Sequence, residues 1–273
     1  MSEKLYDVAI LGGGNLGEAL ARGWARAGSF ETGRTVVTRR HTEKLAALSD
    51  EGFVVTDSNA DAVRGADLIV LAVQPQQLGT LLAEIGPALD PSRHRLISVV
   101  SGASIAEIRK AAGGTSVPIV RAMPNTAVMI GESMTCLAGE EGGDADVLRE
   151  AEELFDVVGR TLVIPEDMIV PATALCACGI AFFLRSVRAA AQGGIEIGFH
   201  PEDAALLAAQ TAKGAASLAL RKGAHPESEI DRVTTPRGCT ITGLNEMEHA
   251  GFSSAMIRGI VTSARAAADL YSE

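Results

Sequence analysis

The chain has 273 residues, 47% of them hydrophobic and 21% charged, with a net charge of -10. That length and apolar content support a large core and two domains. The acidic balance argues against nucleic acid or an anionic membrane as a partner. Four cysteines (Cys136, Cys176, Cys178, Cys239) lack any C-x-x-C spacing. After Met1 the residues Ser-Glu-Lys lead straight into a strand pattern rather than an apolar leader. Reduced thiols in a cytoplasmic protein are therefore expected. The most apolar run, Ala172 to Leu184, is 13 residues long and ends at Arg185. A membrane span needs roughly 20, so this run is expected to be a buried helix.

Strand and helix signals alternate through the first half. Tyr6 to Leu11 is an apolar run that opens into glycines, as a buried parallel strand does. Helical spacing follows over Ala19–Ala27, then a strand at Thr35–Thr38 and a helix at Glu43–Leu48 capped by Thr42. Strands are expected at 53–55 and 67–73, and Pro75 starts a helix at its favoured first position. The remaining strands fall at 95–100, 118–121, 134–137 and 161–164, with helices at 104–112 and 145–158. This alternation predicts a Rossmann-type, doubly wound parallel sheet over residues 1–165.

After Pro165 the pattern changes. Residues 166–273 read as Ala- and Leu-rich helices broken at Gly193-Gly194, His200-Pro201, His225-Pro226 and the stretch from Thr234 to Gly238. Small residues such as Ala204, Ala208, Ala212 and Ala216 let helices approach closely, and much of this surface is too apolar for solvent. An all-α domain that completes its core against a second copy is expected.

Gly12-Gly13-Gly14-Asn15-Leu16-Gly17 satisfies G-x-G-x-x-G between a strand and a helix. Gly12 permits the turn, Gly14 lets backbone approach a pyrophosphate, and Gly17 lets the helix pack on the strand. The N–H groups of Asn15, Leu16 and Gly17 then face the phosphates. Thr38-Arg39-Arg40 ends the second strand with no acid before Glu43. Guanidinium forks suit a 2′-phosphate, so NADPH is favoured and NADH is the alternative. Ala72-Val73-Gln74-Pro75 and Ser101 end further strands at the edge where ligands of such sheets bind. Asn59, on a loop, is expected on the adenine side; Asn125 either orients the nicotinamide or a substrate, or serves as a turn residue.

In Thr235-Pro236-Arg237-Gly238-Cys239-Thr240, successive N–H groups near Gly238 can cradle a carboxylate. Thr240 opens the next helix at its positive dipole end, or else simply caps it. None of His41, His94, His200, His225 and His249 falls in the strand-end loops, and no metal-ligand cluster stands out. A protonated cyclic imine needs little acid–base help, which makes it a better hydride acceptor here than a hydroxy acid.

Gly12 to Gly17, Ala72 to Pro75, Ala122-Met123-Pro124-Asn125-Thr126 and Thr235 to Leu244 occur in the order and spacing of pyrroline-5-carboxylate reductases. The chain resembles that family over essentially its whole length. The resemblance implies NAD(P)H-dependent reduction of Δ1-pyrroline-5-carboxylate to L-proline, by homodimers often assembled into decamers. It implies that the Thr240 hydroxyl meets the ring nitrogen, that Thr235, Gly238 and Cys239 hold the substrate carboxylate, and that Glu166 belongs to the substrate region. Three departures stand out: Gln74 where the family usually has Lys, Arg237 where it has Gly, and Cys176–Phe182 in place of Ser-Gly-Ser-Gly-Pro-Ala-Tyr. A related imine or β-hydroxyacid reductase, and an NADPH-binding regulatory protein without turnover, are the alternative readings.

Overall fold

A computed structural model describes residues 4–140, 142–143 and 145–269. The first three residues, on which the reading of the N-terminus rests, and the last four lie outside it. The order is β1 (Val8–Leu11), α1 (Asn15–Ala27), β2 (Thr35–Thr38), α2 (Ala46–Asp50), β3 (Val54–Thr56), α3 (Asn59–Gly65), β4 (Leu68–Leu71), α4 (Pro75–Ile85), β5 (Arg95–Ser98), α5 (Ile105–Ala111), β6 (Ile119–Met123), β7 (Ser133–Gly139), α6 (Ala145–Asp156) and β8 (Gly159–Val163). The helices α7 (Ile169–Ala172), α8 (Gly179–Glu196), α9 (Pro201–Ala219), α10 (Pro226–Val233), α11 (Cys239–His249) and α12 (Phe252–Ala268) follow.

The eight strands form one sheet in the order β3-β2-β1-β4-β5-β6-β7-β8. The pairs from β3 through β6 are parallel, whereas β7 runs antiparallel to β6 and β8 parallel to β7. The order reverses between β1 and β4, which places the ligand crevice outside their carboxyl ends. The reversal at β7 has a local cause. Only Pro124 to Glu132 joins β6 to β7, with a 3₁₀ turn at Thr126–Ile130. That is too short for a helical crossover, so the chain returns as an antiparallel neighbour.

All four residues of β1 are fully buried, and they alternate between two cores. Val8 and Ile10 face Leu20 and Trp24 of α1, Leu48 of α2 and Phe155 of α6. Ala9 and Leu11 face Val63 of α3, Leu78 and Leu82 of α4 and Ile108 of α5. Period-two alternation in a strand covered on both sides produces the three layers. Trp24 stacks edge-on against Phe30 and Phe155 and donates its indole N–H to the Leu154 carbonyl at 3.0 Å.

Three expectations change. Asn59 does not lie on a loop: it is the first residue of α3, behind the N-cap Ser58, whose side chain accepts from Asp61 N–H. Gly193-Gly194 does not break a helix. Both lie inside α8, where a Cβ at Gly194 would stand 3.1 Å from that of Ala204 on α9, so glycine here serves close helix packing. The apolar run is not a short buried helix either. Residues Glu166–Glu196 form one helical run, long and apolar enough to cross a membrane by length and composition alone, with only 28% of its apolar window buried. Phe183 and Leu184 are 60% and 63% exposed.

Two compact bodies emerge: Met1–Ala177 together with Ser263–Glu273, and Cys178–Thr262. The second is held mainly by α8 against α9, and few of its residues are buried.

His94, after the Asp90 turn, is 3% exposed and its Nδ1 accepts from the Asp90 N–H at 2.9 Å. Burial, reinforced by Arg93, lowers its pKa from the ordinary 6.5. The unfolded chain therefore binds the proton more readily, and stability rises with pH across this window. The contribution is complete above 6.5 and is lost as pH falls through the lower folded value. His94→Asn keeps an acceptor for Asp90 and does not titrate. Urea midpoints between about pH 7 and pH 5 should fall less steeply in the variant than in the parent. Parallel profiles would clear His94 of the effect.

Candidate active site

The Gly-rich turn is built by close approach. Gly12 has φ +117, and a Cβ there would lie 2.5 Å from the Ala72 carbonyl oxygen. A Cβ at Gly17 would collide with the Gly12 carbonyl, while Gly14 has nothing within 4 Å. So Gly12 and Gly17 are demanded by packing, and Gly14 is left open towards a ligand. Gly14 is also the N-cap of α1, whose first-turn N–H groups have no intrahelical acceptor. They point a positive dipole end into the space in front of Asn15 and Leu16.

Beside this turn lies a cleft of about 550 Å³ lined by Gly12, Gly13, Gly14, Thr38, Arg39, Arg40, His41, Lys44, Asp57, Asn59, Ala72, Val73, Gln74, Gln76, Gln77, Thr80, Leu81 and Glu84; Asn15, Leu16, Gly17, Pro75, Ser101 and Asn125 stand outside its lining. Thr38 Oγ donates to Asn59 Oδ1 at 2.6 Å, and Asn59 Nδ2 donates to Glu84 at 3.1 Å. A hydroxyl thus stands at the end of β2, where an NAD-selective site carries a carboxylate, while the carboxylates of Asp57 and Glu84 line the cleft further on. Arg39 anchors itself by donating Nη1 to the Gly13 carbonyl at 2.7 Å, with Glu18 3.7 Å away. Arg40, His41 and Lys44 surround the same end. His41 and Lys44 were not among the residues singled out from the sequence, and His41 corrects the expectation that no histidine reaches a strand-end loop. The signal was the run of basic side chains directly after β2. An anionic 2′-phosphate fits this end better than a bare ribose.

Pro75 opens α4 at its first position with Gln74 as N-cap. Ser101 is half-buried in the turn after β5. Asn125 is 9% exposed and engaged twice: Oδ1 accepts from Ala127 N–H at 2.9 Å, and Nδ2 donates to the Cys176 carbonyl at 3.2 Å. It holds the turn at the end of β6. Glu166 accepts from the Ile105 N–H at 2.6 Å, at the start of α5, and from Arg121 Nη1 at 3.4 Å. Arg121 is 3% exposed, and burial lowers its pKa against the opposing pull of Glu166. Glu166 thus compensates a buried charge.

In the helical body, Gly238 is the N-cap of α11, and Cys239 and Thr240 are its first two residues. Gly238 N–H closes back onto the Thr235 carbonyl at 2.9 Å, and Thr242 Oγ donates to the Gly238 carbonyl at 3.2 Å. Among the described residues Arg237 is the one non-glycine with positive φ, at 59. The turn requires the left-handed region, which disfavours any side chain by about 1 kcal/mol.

Residues 166–270 match the family profile of pyrroline-5-carboxylate reductase dimerisation, and residues 7–102 that of NADP oxidoreductase, coenzyme F420-dependent. Pyrroline-5-carboxylate reductase 2 of Dictyostelium discoideum is 48% identical over 94% of this chain and 91% of its own length. Its pyrroline-5-carboxylate reductase 1 is 53% identical over 99% of the chain, which spans only 51% of that longer protein. The chain belongs to the pyrroline-5-carboxylate reductase family. A crystal structure of the Plasmodium falciparum enzyme with NADP bound shares the fold, with a TM-score of 0.87 at 24% identity, covering 99% of this chain and 100% of that one. Membership makes the chain an oxidoreductase acting on a CH–NH bond, with NADP(H) as its cofactor and an oligomerising helical region.

Arg39→Ala should raise the KM for NADPH far more than that for NADH in steady-state assays. Equal rises would mean that Arg39 only braces the Gly13 turn. Arg237→Gly should raise unfolding stability by up to about 1 kcal/mol, because glycine adopts the left-handed region freely. A lower melting temperature would show that the arginine side chain stabilises the loop.

Proposed function

We propose that the chain reduces Δ1-pyrroline-5-carboxylate to L-proline, the last step of proline synthesis, with Thr240 at the ring nitrogen. NADPH, when bound, supplies the hydride to the imine carbon. The observation that carries the reading is the start of α11, where Gly238, Cys239 and Thr240 occupy the N-cap and the first two helical positions. Free N–H groups and a positive dipole end there favour the substrate carboxylate. Thr235, Gly238 and Cys239 form that carboxylate loop. The Thr240 hydroxyl accepts from the protonated imine and can then donate to the amine that replaces it. Positioning and charge therefore suffice, and no side-chain base is required.

Gly12, Gly14, Asn15, Leu16 and Gly17 take the pyrophosphate in this reading. Thr38, Arg39 and Asn59 take the adenosine end. Ala72, Val73, Gln74, Pro75, Ser101 and Asn125 line the nicotinamide side. Glu166 acts on the substrate region by holding Arg121 and the start of α5. The functional division runs at 165/166, with an NADP-binding domain before it and a substrate-binding, dimerising domain after it. Exposed Phe183, Leu184, Leu206 and Ile257, at 60 to 68%, support burial of the helical domain against a second copy. We read the assembly as a homodimer that can build a decamer. The same reading assigns α8, the apolar second half of the run, to a subunit interface rather than a membrane, and the enzyme to the cytoplasm.

Thr240→Val removes the hydroxyl and keeps the shape. kcat/KM for pyrroline-5-carboxylate should fall by one to two powers of ten, about 1.4 kcal/mol each, with NADPH binding nearly unchanged. An unaltered rate would remove Thr240 from the mechanism.

A further inference from the structure

Two thiols meet outside the cofactor cleft. Cys136 lies in β7 and is 4% exposed; Cys176 lies in a π-helical turn, Thr173–Cys178, and is half-buried. Their Sγ atoms are 3.9 Å apart. Met123, Ala138 and Ile169 pack around Cys136 in a small apolar cluster that Cys176 borders. Among the described residues no group of three His, Cys, Asp or Glu side chains could hold a metal, so the pair has no third ligand.

We propose that Cys136 and Cys176 are a redox-active dithiol that closes to a disulfide with low-molecular-weight disulfides and thereby slows the enzyme. Closure needs an approach of about 2 Å to reach a bond of about 2.05 Å. A π-helical turn carries one residue more than an α-helical turn and can release it, which suits such a movement. The two sulfurs are not equivalent. Cys176 is only partly buried, whereas Cys136 is shielded. The hydrogen bond between them lowers the Cys176 pKa to about 7 and, with burial, raises that of Cys136. Cys176 is the attacking thiolate and Cys136 the resolving thiol.

The step balances as two exchanges. Cys176 S⁻ attacks one sulfur of R–S–S–R, forming a mixed disulfide and expelling RS⁻. Cys136 then attacks the Cys176 sulfur, forming the internal disulfide and expelling the second RS⁻. The two protein protons leave on two RSH, the dithiol gives up two electrons, and the small disulfide is reduced.

The link to catalysis is the turn after β6. Cys136 pairs with Met123, the last residue of β6, and Asn125 donates to the Cys176 carbonyl at 3.2 Å. Drawing Cys176 towards β7 shifts that carbonyl and the asparagine held to it. This link rests on the nicotinamide-side role proposed for Asn125.

The purified full chain is equilibrated in glutathione buffers from fully reduced to fully oxidised. Thiols are then trapped by alkylation, disulfide peptides are mapped by mass spectrometry, and NADPH oxidation with pyrroline-5-carboxylate is measured in parallel. A Cys136–Cys176 peptide should appear as the rate falls, and dithiothreitol should reverse both. Cys136→Ser should accumulate glutathione on Cys176 instead. Free Cys136 and Cys176 in every buffer, disulfides confined to Cys178 or Cys239, or closure with an unchanged rate would each overturn the proposal. A reduced enzyme that fails to oxidise NADPH refutes the function instead, and the peptide map still decides whether the pair closes.

Discussion

The close approach of backbone at the end of β1 is the constraint on which the cofactor site depends. Gly12 lies so near the Ala72 carbonyl, and Gly17 so near Gly12, that a single methyl at either would push β1, α1 and β4 apart. Holding these three together sets the α1 N-terminus over the carboxyl edge of the sheet, at the point where strand order reverses. The dipole end, the Arg39 anchor on the Gly13 carbonyl and the cleft wall at Ala72–Val73 all follow from it. A ligand cleft outlives small surface changes but not a shift of this seam, because a packed interior transmits displacement.

The helical body obeys a different constraint. Its helices carry more apolar side chains than they can cover: Ile197 is 78% exposed and Leu206 68%. A membrane-spanning helix and an oligomer interface would both expose such a face in a single chain. Arg185 and Arg188 interrupt the apolar run in α8, and the dimerisation profile spans residues 166–270. The cofactor body buries two apolar cores within one chain, although Leu162 and Val163 of β8 stay 52% and 44% exposed, whereas the helical body buries almost none of its apolar side chains.

At the reactive end, side chains are spent on shape more than on acid–base chemistry. Asn125 and Glu166, both candidates for ligand contact, hold protein backbone: one keeps a turn and ties it to the Cys176 carbonyl, the other compensates buried Arg121. This suits a reaction whose acceptor is already electrophilic. The strain at Arg237 belongs to the same picture, since the turn ahead of α11 is retained although its side chain resists it.

The positions of the strands through β6, the glycine turn, Pro75 at the head of α4 and the Thr235–Thr240 turn were legible in the sequence, because each rests on local rules. Period-two burial, turn chemistry and helix caps act over a few residues. Two features were not. The reversal at β7 depends on how little chain joins it to β6, and Gly194 depends on Ala204 across the helix pair. The Cys136–Cys176 pair likewise arises from residues meeting across folded backbone. Motif order, through the family it resembles, pointed to the class of enzyme, and the change in pattern after Pro165 to the two-part division expected of it. Only tertiary structure decided which glycines are forced, which polar groups are already engaged and which thiols meet, because those depend on distances that chain spacing does not carry.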